Sequence, residues 1–134
     1  ENNVYEVELN FKFDRNDAPF GLDLCIGEGR RLPIRFDPST DTFTVDRTNC
    51  ADVEIEKFPM TKSEVVATDG ENLHMRIFVD QSSVEIFLEE GRHSFSFLPY
   101  PSENQCGLEF YSEGKGPRCS YRIWPLESIW KKID

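Results

Sequence analysis

Leu73-His74-Met75-Arg76-Ile77-Phe78-Val79-Asp80-Gln81-Ser82-Ser83-Val84-Glu85-Ile86-Phe87-Leu88 is the stretch on which the fold turns. Leu73, Met75, Ile77 and Val79 fall at every second position, the spacing of side chains on one side of a strand. Val84, Ile86 and Leu88 resume it after Asp80-Gln81-Ser82-Ser83, whose short polar side chains suit a tight turn. The stretch therefore reads as a β-hairpin. Its register collects the aliphatic residues on one face and His74, Arg76, Phe78, Glu85, Phe87 and Glu89 on the other. The first face is core. The second carries two phenylalanines among charges, a surface covered either by another segment of the same domain or by another domain or a ligand.

The period of two extends outward from this hairpin. Upstream it recurs at Tyr5 to Phe13, Leu22 to Ile26, Leu32 to Phe36, Thr42 to Val45 and Val53 to Glu56; downstream at Ser94 to Leu98, Gly107 to Tyr111 and Ser120 to Trp124. Gly, Pro, Asn and Asp clusters part these runs every eight to twelve residues or so, as in a β-sandwich or barrel. With the two hairpin strands, ten strands form one all-β domain over residues 1–134. Leu126, Ile129, Trp130 and Ile133 alone show helical spacing, and that segment reads as a short helix or as a final strand or extended tail.

Fifteen Lys plus Arg against 25 Asp plus Glu leave a net charge of −10, which repels nucleic acid and anionic lipid. No apolar run approaches the length of a membrane span, and Glu1 begins without a signal-peptide pattern. Cys25, Cys50, Cys106 and Cys119 contain no Cys-x-x-Cys pair, so zinc and redox motifs are disfavoured. A hairpin through Ser112 to Arg118 would set Cys106 opposite Trp124, about 16 Å along the ladder from Cys119, too far for a bridge. Free thiols are the expectation, and with them a reducing compartment.

Carboxylate density alone does not make a glycosidase. Asp80 and Glu85 flank the hairpin turn, where Asp80 can accept turn N–H groups and Glu85 lies diagonal to Arg76, so a turn cap and a cross-strand ion pair outweigh catalysis. Ser82 and Ser83 have only His74 and His93 as possible bases, and the sequence has no Gly-x-Ser-x-Gly elbow. Gly27, Gly29, Gly114 and Gly116 precede no helix that could bind phosphate and read as turn glycines.

The run from Leu73 to Phe87 resembles the hallmark of the C-terminal β-sandwich of glycoside hydrolase family 32, the β-fructosidases that include invertases, sucrose-6-phosphate hydrolases, levanases and inulinases. Phe43-Thr44-Val45-Asp46-Arg47-Thr48 is similar to the family's strand ending in Asp-Arg-Ser/Thr. Gly91 matches a glycine after the hallmark, Cys106 to Tyr111 the late Gly-Leu strand, and Trp124 to Trp130 the closing segment. The resemblance spans nearly the whole chain and implies a two-sheet antiparallel β-sandwich, concanavalin A-like, of the lectin-like jelly-roll kind.

In such enzymes a propeller at the N-terminal side supplies the chemistry, through Asn-Asp-Pro-Asn-Gly, Arg-Asp-Pro and Glu-Cys motifs. None occurs in this sequence: Asn16-Asp17-Ala18-Pro19 and Arg35-Phe36-Asp37-Pro38 only approximate the first two and read as turns. The expectation is a non-catalytic module of a larger hydrolase of terminal β-fructofuranosides such as sucrose, sucrose 6-phosphate or fructans. It would stabilise the propeller or its oligomer; a fructan-binding module is the alternative, and an autonomous glycosidase a weaker one. No catalytic, cofactor or metal residue is assigned. Asp80, Ser82, Ser83, Glu85, Arg76, Asp46 and Arg47 are structural candidates, and Phe78 and Phe87 the candidate interdomain face. The compartment is cytoplasmic, or extracellular if the parent is a levanase or inulinase.

Overall fold

Alternation in the sequence becomes two antiparallel sheets. The computed structural model describes residues 4–50, 61–68, 70–80, 83–97, 107–114 and 116–125. Among them lie β1 (Tyr5–Lys12), β2 (Phe20–Gly27), β3 (Arg30–Asp37), β4 (Thr42–Asp46), β5 (Thr61–Val65), β6 (Asn72–Val79), β7 (Val84–Leu88), β8 (His93–Phe97), β9 (Gly107–Ser112) and β10 (Arg118–Pro125), and no helix. The first sheet runs β10-β1-β6-β7-β8 and the second β5-β4-β3-β2-β9. No helix long and apolar enough to cross a membrane occurs among the described residues.

The inner faces meet in one core. Aromatic pairs bridge the sheets at three places across their width: Phe11 with Phe20 at 4.9 Å between centroids, Phe43 with Phe95 at 5.0 Å, and Phe110 with Tyr121 at 5.1 Å. Phe20, Phe36, Phe43 and Phe95 are nearly or wholly buried, each worth roughly 1.5–3 kcal/mol of apolar burial.

The hairpin of β6 and β7 has the register its alternation dictates, with Val79 opposite Val84, Ile77 opposite Ile86 and Met75 opposite Leu88. The Asp80 amide donates to the Ser83 carbonyl at 2.8 Å, closing a two-residue loop; Gln81 and Ser82 of that loop lie outside the described residues. The Gly27–Arg30 connection is equally legible. Glu28 (φ 54°) and Gly29 (φ 75°) are both left-handed, the backbone of the hairpin turn whose twist matches its strands.

The structure adds one strand that the alternation missed and corrects two expectations. Thr61–Val65 forms β5 beside β4, although its polar sequence carries no strand period; the expected strand Val53 to Glu56 lies outside the described residues. β9 and β10 do not form a hairpin: β9 pairs with β2 and β10 with β1, so the chain crosses between sheets at 112–118. Two sheets can take the strands flanking a Gly-Pro connection as easily as one. Finally, Arg35-Phe36-Asp37 ends β3 instead of forming a turn, with Phe36 in the core.

Arg15 ties three connections together. Its guanidinium reaches the Pro38 carbonyl and Asp41 between β3 and β4, and Thr68 and the Gly70 carbonyl between β5 and β6.

Candidate functional site

The outer face of β6 and β7 holds most of the singled-out residues. Strand alternation turns Phe78 and Phe87 outward together, opposite Glu85 and Arg76 respectively. The rings meet edge to face, centroids 5.8 Å apart and planes at 82°, a favoured aromatic geometry. Each half-buries the other. The pair stands between two shallow hollows. One, of about 550 Å³, is lined by Glu8, His74, Arg76 and Glu90 as well as the rings; the other, of about 360 Å³, by Val4, Asp80, Ser83 and Glu85.

The charges around the rings are set by β1. Glu8 stands directly opposite Arg76 and Glu6 directly opposite Phe78. The ion pair formed is Arg76 Nε with Glu6, so Arg76 does not take Glu85 as the hairpin alone suggests. β1 places a carboxylate beside it that no local reading can see. His74 Nε2 and Glu8 Oε2 lie 3.0 Å apart, and this hydrogen bond holds the Glu8 carboxyl below the usual carboxylate range. His74 Nδ1 is buried with no hydrogen-bond partner among the described residues. The buried carboxylate of Glu89 accepts the His74 amide at 2.9 Å, so the adjoining turn of left-handed Glu89, Glu90 and Gly91 is fastened to β6.

Asp46 and Arg47 lie on the other sheet. Asp46 Oδ1 accepts the Thr48 amide at 2.9 Å, the Thr48 hydroxyl and the Thr61 hydroxyl. Burial opposes its charge, yet these hydrogen bonds win and its pKa is lowered. Arg47 is 6% exposed, and its carbonyl accepts the Cys50 thiol at 3.4 Å. Both residues fix the exit of β4, and neither joins the β6–β7 face.

A second polar cluster escaped the sequence. On the outer face of the second sheet the side chain of Asp23, 3% exposed, takes Arg31 at 2.5 Å and Arg35 at 2.7 Å. The Arg35 guanidinium lies 3.4 Å from the Tyr111 ring centroid, and both residues face Gly21 across the ladder. These groups satisfy one another, and three separate strands, β2, β3 and β9, contribute to them. The only sequence signal was the outward period of Arg31, Pro33 and Arg35. Among the described residues no group of three or more His, Cys, Asp or Glu could hold a metal ion.

Cys25 and Cys50 are buried and Cys119 is half-buried; Cys106 lies outside the described residues. Burial pushes the Cys25 thiol up to about 12 and that of Cys119 to about 11, so neither offers a thiolate nucleophile at neutral pH.

Two five-stranded antiparallel sheets with an outward aromatic pair, and a sequence lacking the glycosidase motifs sought, define a β-sandwich module. The chain belongs to the family described as glycosyl hydrolases family 32 C terminal, whose model matches residues 1–125. It is 30% identical to a levanase of Bacillus sp. (strain L7), covering 98% of this chain and 15% of that protein, and 29% identical to a sucrose-6-phosphate hydrolase of Streptococcus mutans, covering 80% and 22%. The fold matches an exo-inulinase from Aspergillus awamori with a TM-score of 0.86 at 23% identity, over 95% of this chain and 26% of that one. It matches a sucrose-6-phosphate hydrolase from Lactobacillus gasseri with a TM-score of 0.79 at 25% identity, over 95% and 25%. The chain thus spans between 15% and 26% of the length of these proteins.

Proposed function

We propose that this chain, one domain over residues 1–134, is the non-catalytic sandwich of a β-fructosidase and holds that enzyme's catalytic propeller through the outer face of β6 and β7. The observation that carries the proposal is the Phe78–Phe87 pair, half-buried and turned away from the core. Covering the exposed half of each ring adds roughly 1 kcal/mol, with Arg76 and Glu85 as a polar rim. The names of the relatives support a parent acting on levan, inulin or sucrose 6-phosphate.

The test is the double change Phe78→Ser and Phe87→Ser, made both in this chain and in the whole enzyme. The chain should stay folded, while the whole enzyme should melt several degrees lower and be cleaved faster between its domains. An unaffected whole enzyme would refute the docking face, and an unfolded mutant chain would assign the rings to the module's own stability.

A second reading is favoured by the hollow beside the rings. Edge-on aromatics flanked by Glu8, Arg76 and Glu90 combine stacking surface with hydrogen-bonding groups, the chemistry that holds a fructan chain. Calorimetric titration of the chain with levan and inulin separates the two, because docking alone gives no heat.

A further inference from the structure

Among the described strands β5, β8, β9 and β10 stand at the sheet edges, and the first three are guarded. β5 turns charge inward: Glu64 stands opposite Phe43 and pairs with His93 at 2.6 Å, and Lys62 stands opposite Val45 with its Nζ 5.1 Å from the Phe95 centroid. β8 is only five residues long, and its His93 is the partner in that pair. β9 follows a ladder broken by the bulge in β2. Inward charge, shortness and irregularity are devices by which a sheet edge avoids adding a strand from another molecule.

β10 has none of them. Its eight residues keep one register with β1 from Arg118 opposite Lys12 to Pro125 opposite Tyr5, with no left-handed residue and proline only at the end. Its inward positions Cys119, Tyr121 and Ile123 face Phe11, Leu9 and Val7. Those partners are buried, whereas Tyr121 is 54% and Ile123 47% exposed. Phe110, which meets the Tyr121 ring from the other sheet, is 44% exposed. A long regular edge and a contiguous apolar strip of the kind that soluble proteins cover thus lie side by side.

A second copy of this chain fits both features. When β10 pairs antiparallel with its own copy about a two-fold axis, inward residues meet inward ones only if a residue, and not a peptide bond, lies at the centre. Two such registers overlap nearly the whole strand. One centres on Arg122 and sets that guanidinium against itself, which is destabilising. The other centres on Tyr121. There Arg122 falls opposite Ser120, Arg118 opposite Trp124 with a guanidinium beside an indole, and Cys119 opposite Ile123. No like charges stand opposed, and the inward row is continuous. We propose that two copies of this chain join through β10 in the Tyr121-centred register, carrying the first sheet across the axis and closing the strip of Phe110, Tyr121 and Ile123 against its own copy. The outer face of β6 and β7 stays open, because β1 separates β10 from β6, so this proposal and the docking of the propeller fail separately.

Sedimentation velocity of the whole protein should show a dimer whose share grows with concentration. Ser120 is exposed on the outer face opposite Asn10, so a charge placed there reaches the contact without entering the core. Ser120→Glu, set against Arg122 of the second copy, should lower the dimer's dissociation constant on the order of fivefold, and Ser120→Arg should raise it by a similar factor. A dimer indifferent to both changes overturns the proposal, and so does a monomer at every concentration. In a second measurement Tyr121→Cys, which lies on the axis, should form a disulfide between copies in oxidised glutathione several-fold faster than Ser120→Cys, with peptide mass spectrometry locating the bond at position 121. Faster crosslinking of Ser120→Cys would assign another register and overturn this one. A Tyr121→Cys protein that stays monomeric with its thiol shielded from maleimide would show that another part of the same protein covers the strip, which excludes the second copy.

Discussion

A Cβ on Gly21 would lie 1.9 Å from the carbonyl oxygen of Ile34, a distance no packing adjustment accommodates without moving β2 off β3. Gly21→Ala is therefore expected to cost about 3 kcal/mol or more, read as a lowered denaturant midpoint at constant slope, and to part Arg35 from Tyr111. Asp46 makes a pH-dependent contribution. Its folded pKa is lowered from the ordinary 3.8, so the stability it lends is complete above 3.8 and fades as pH falls through the lower folded value. Asp46→Ala should accordingly lower the melting temperature at pH 7, and the gap to the parent chain should close on acidification. A gap that held constant down to pH 2 would deny the carboxylate this role. Local chemistry of this sort was partly legible. Asp80 and Ser83 are turn residues by type, whereas the Arg76–Glu6 pair and the Asp23 cluster depend on strands far apart in sequence, and no periodicity discloses which arginine meets which carboxylate.

Elements were legible in proportion to how much of one face they bury. β6 and β7 alternate because their inner face is core, so the hairpin could be read to the residue. β5 could not, because its inward positions are Glu64 and Lys62, and inward charge is one way an edge strand avoids pairing with another molecule. Replacing both by valine should therefore keep the β4–β5 ladder but make the chain assemble beyond the unaltered chain, seen as light scattering that rises further with concentration. If the double variant scattered no more than the unaltered chain at high concentration, protection of this edge would rest elsewhere. β2 departs from alternation for another reason: the bulge after Leu24 puts Cys25 at φ 53° and turns it into the core beside Leu24, so a strand with polar and apolar positions is buried along six consecutive residues.

At the scale of the molecule, the count of strands and the turn spacing declared a sandwich, while the sheet each strand joins was hidden wherever the chain crosses over. The crossing at 112–118 matters most, because it sends β10 to the edge of the first sheet and leaves Phe110, Tyr121 and Ile123 along an open side. The aromatic surplus of the sequence is thereby divided between a core that is closed, an edge that calls for cover and the outward pair on β6 and β7. The carboxylates that the fold gathers, Asp23 with two arginines, Glu8 with His74 and Asp46 with two threonines, are each engaged in holding strands or turns. A glycosidase needs two carboxylates about 5 to 10 Å apart across a sugar, one of them free to donate a proton. The purified 134-residue chain should thus melt cooperatively by itself and release no fructose from sucrose, levan or inulin. Fructose release that survives repurification, and that is lost on substituting Glu8 or Asp23, would instead place a catalytic centre within the sandwich.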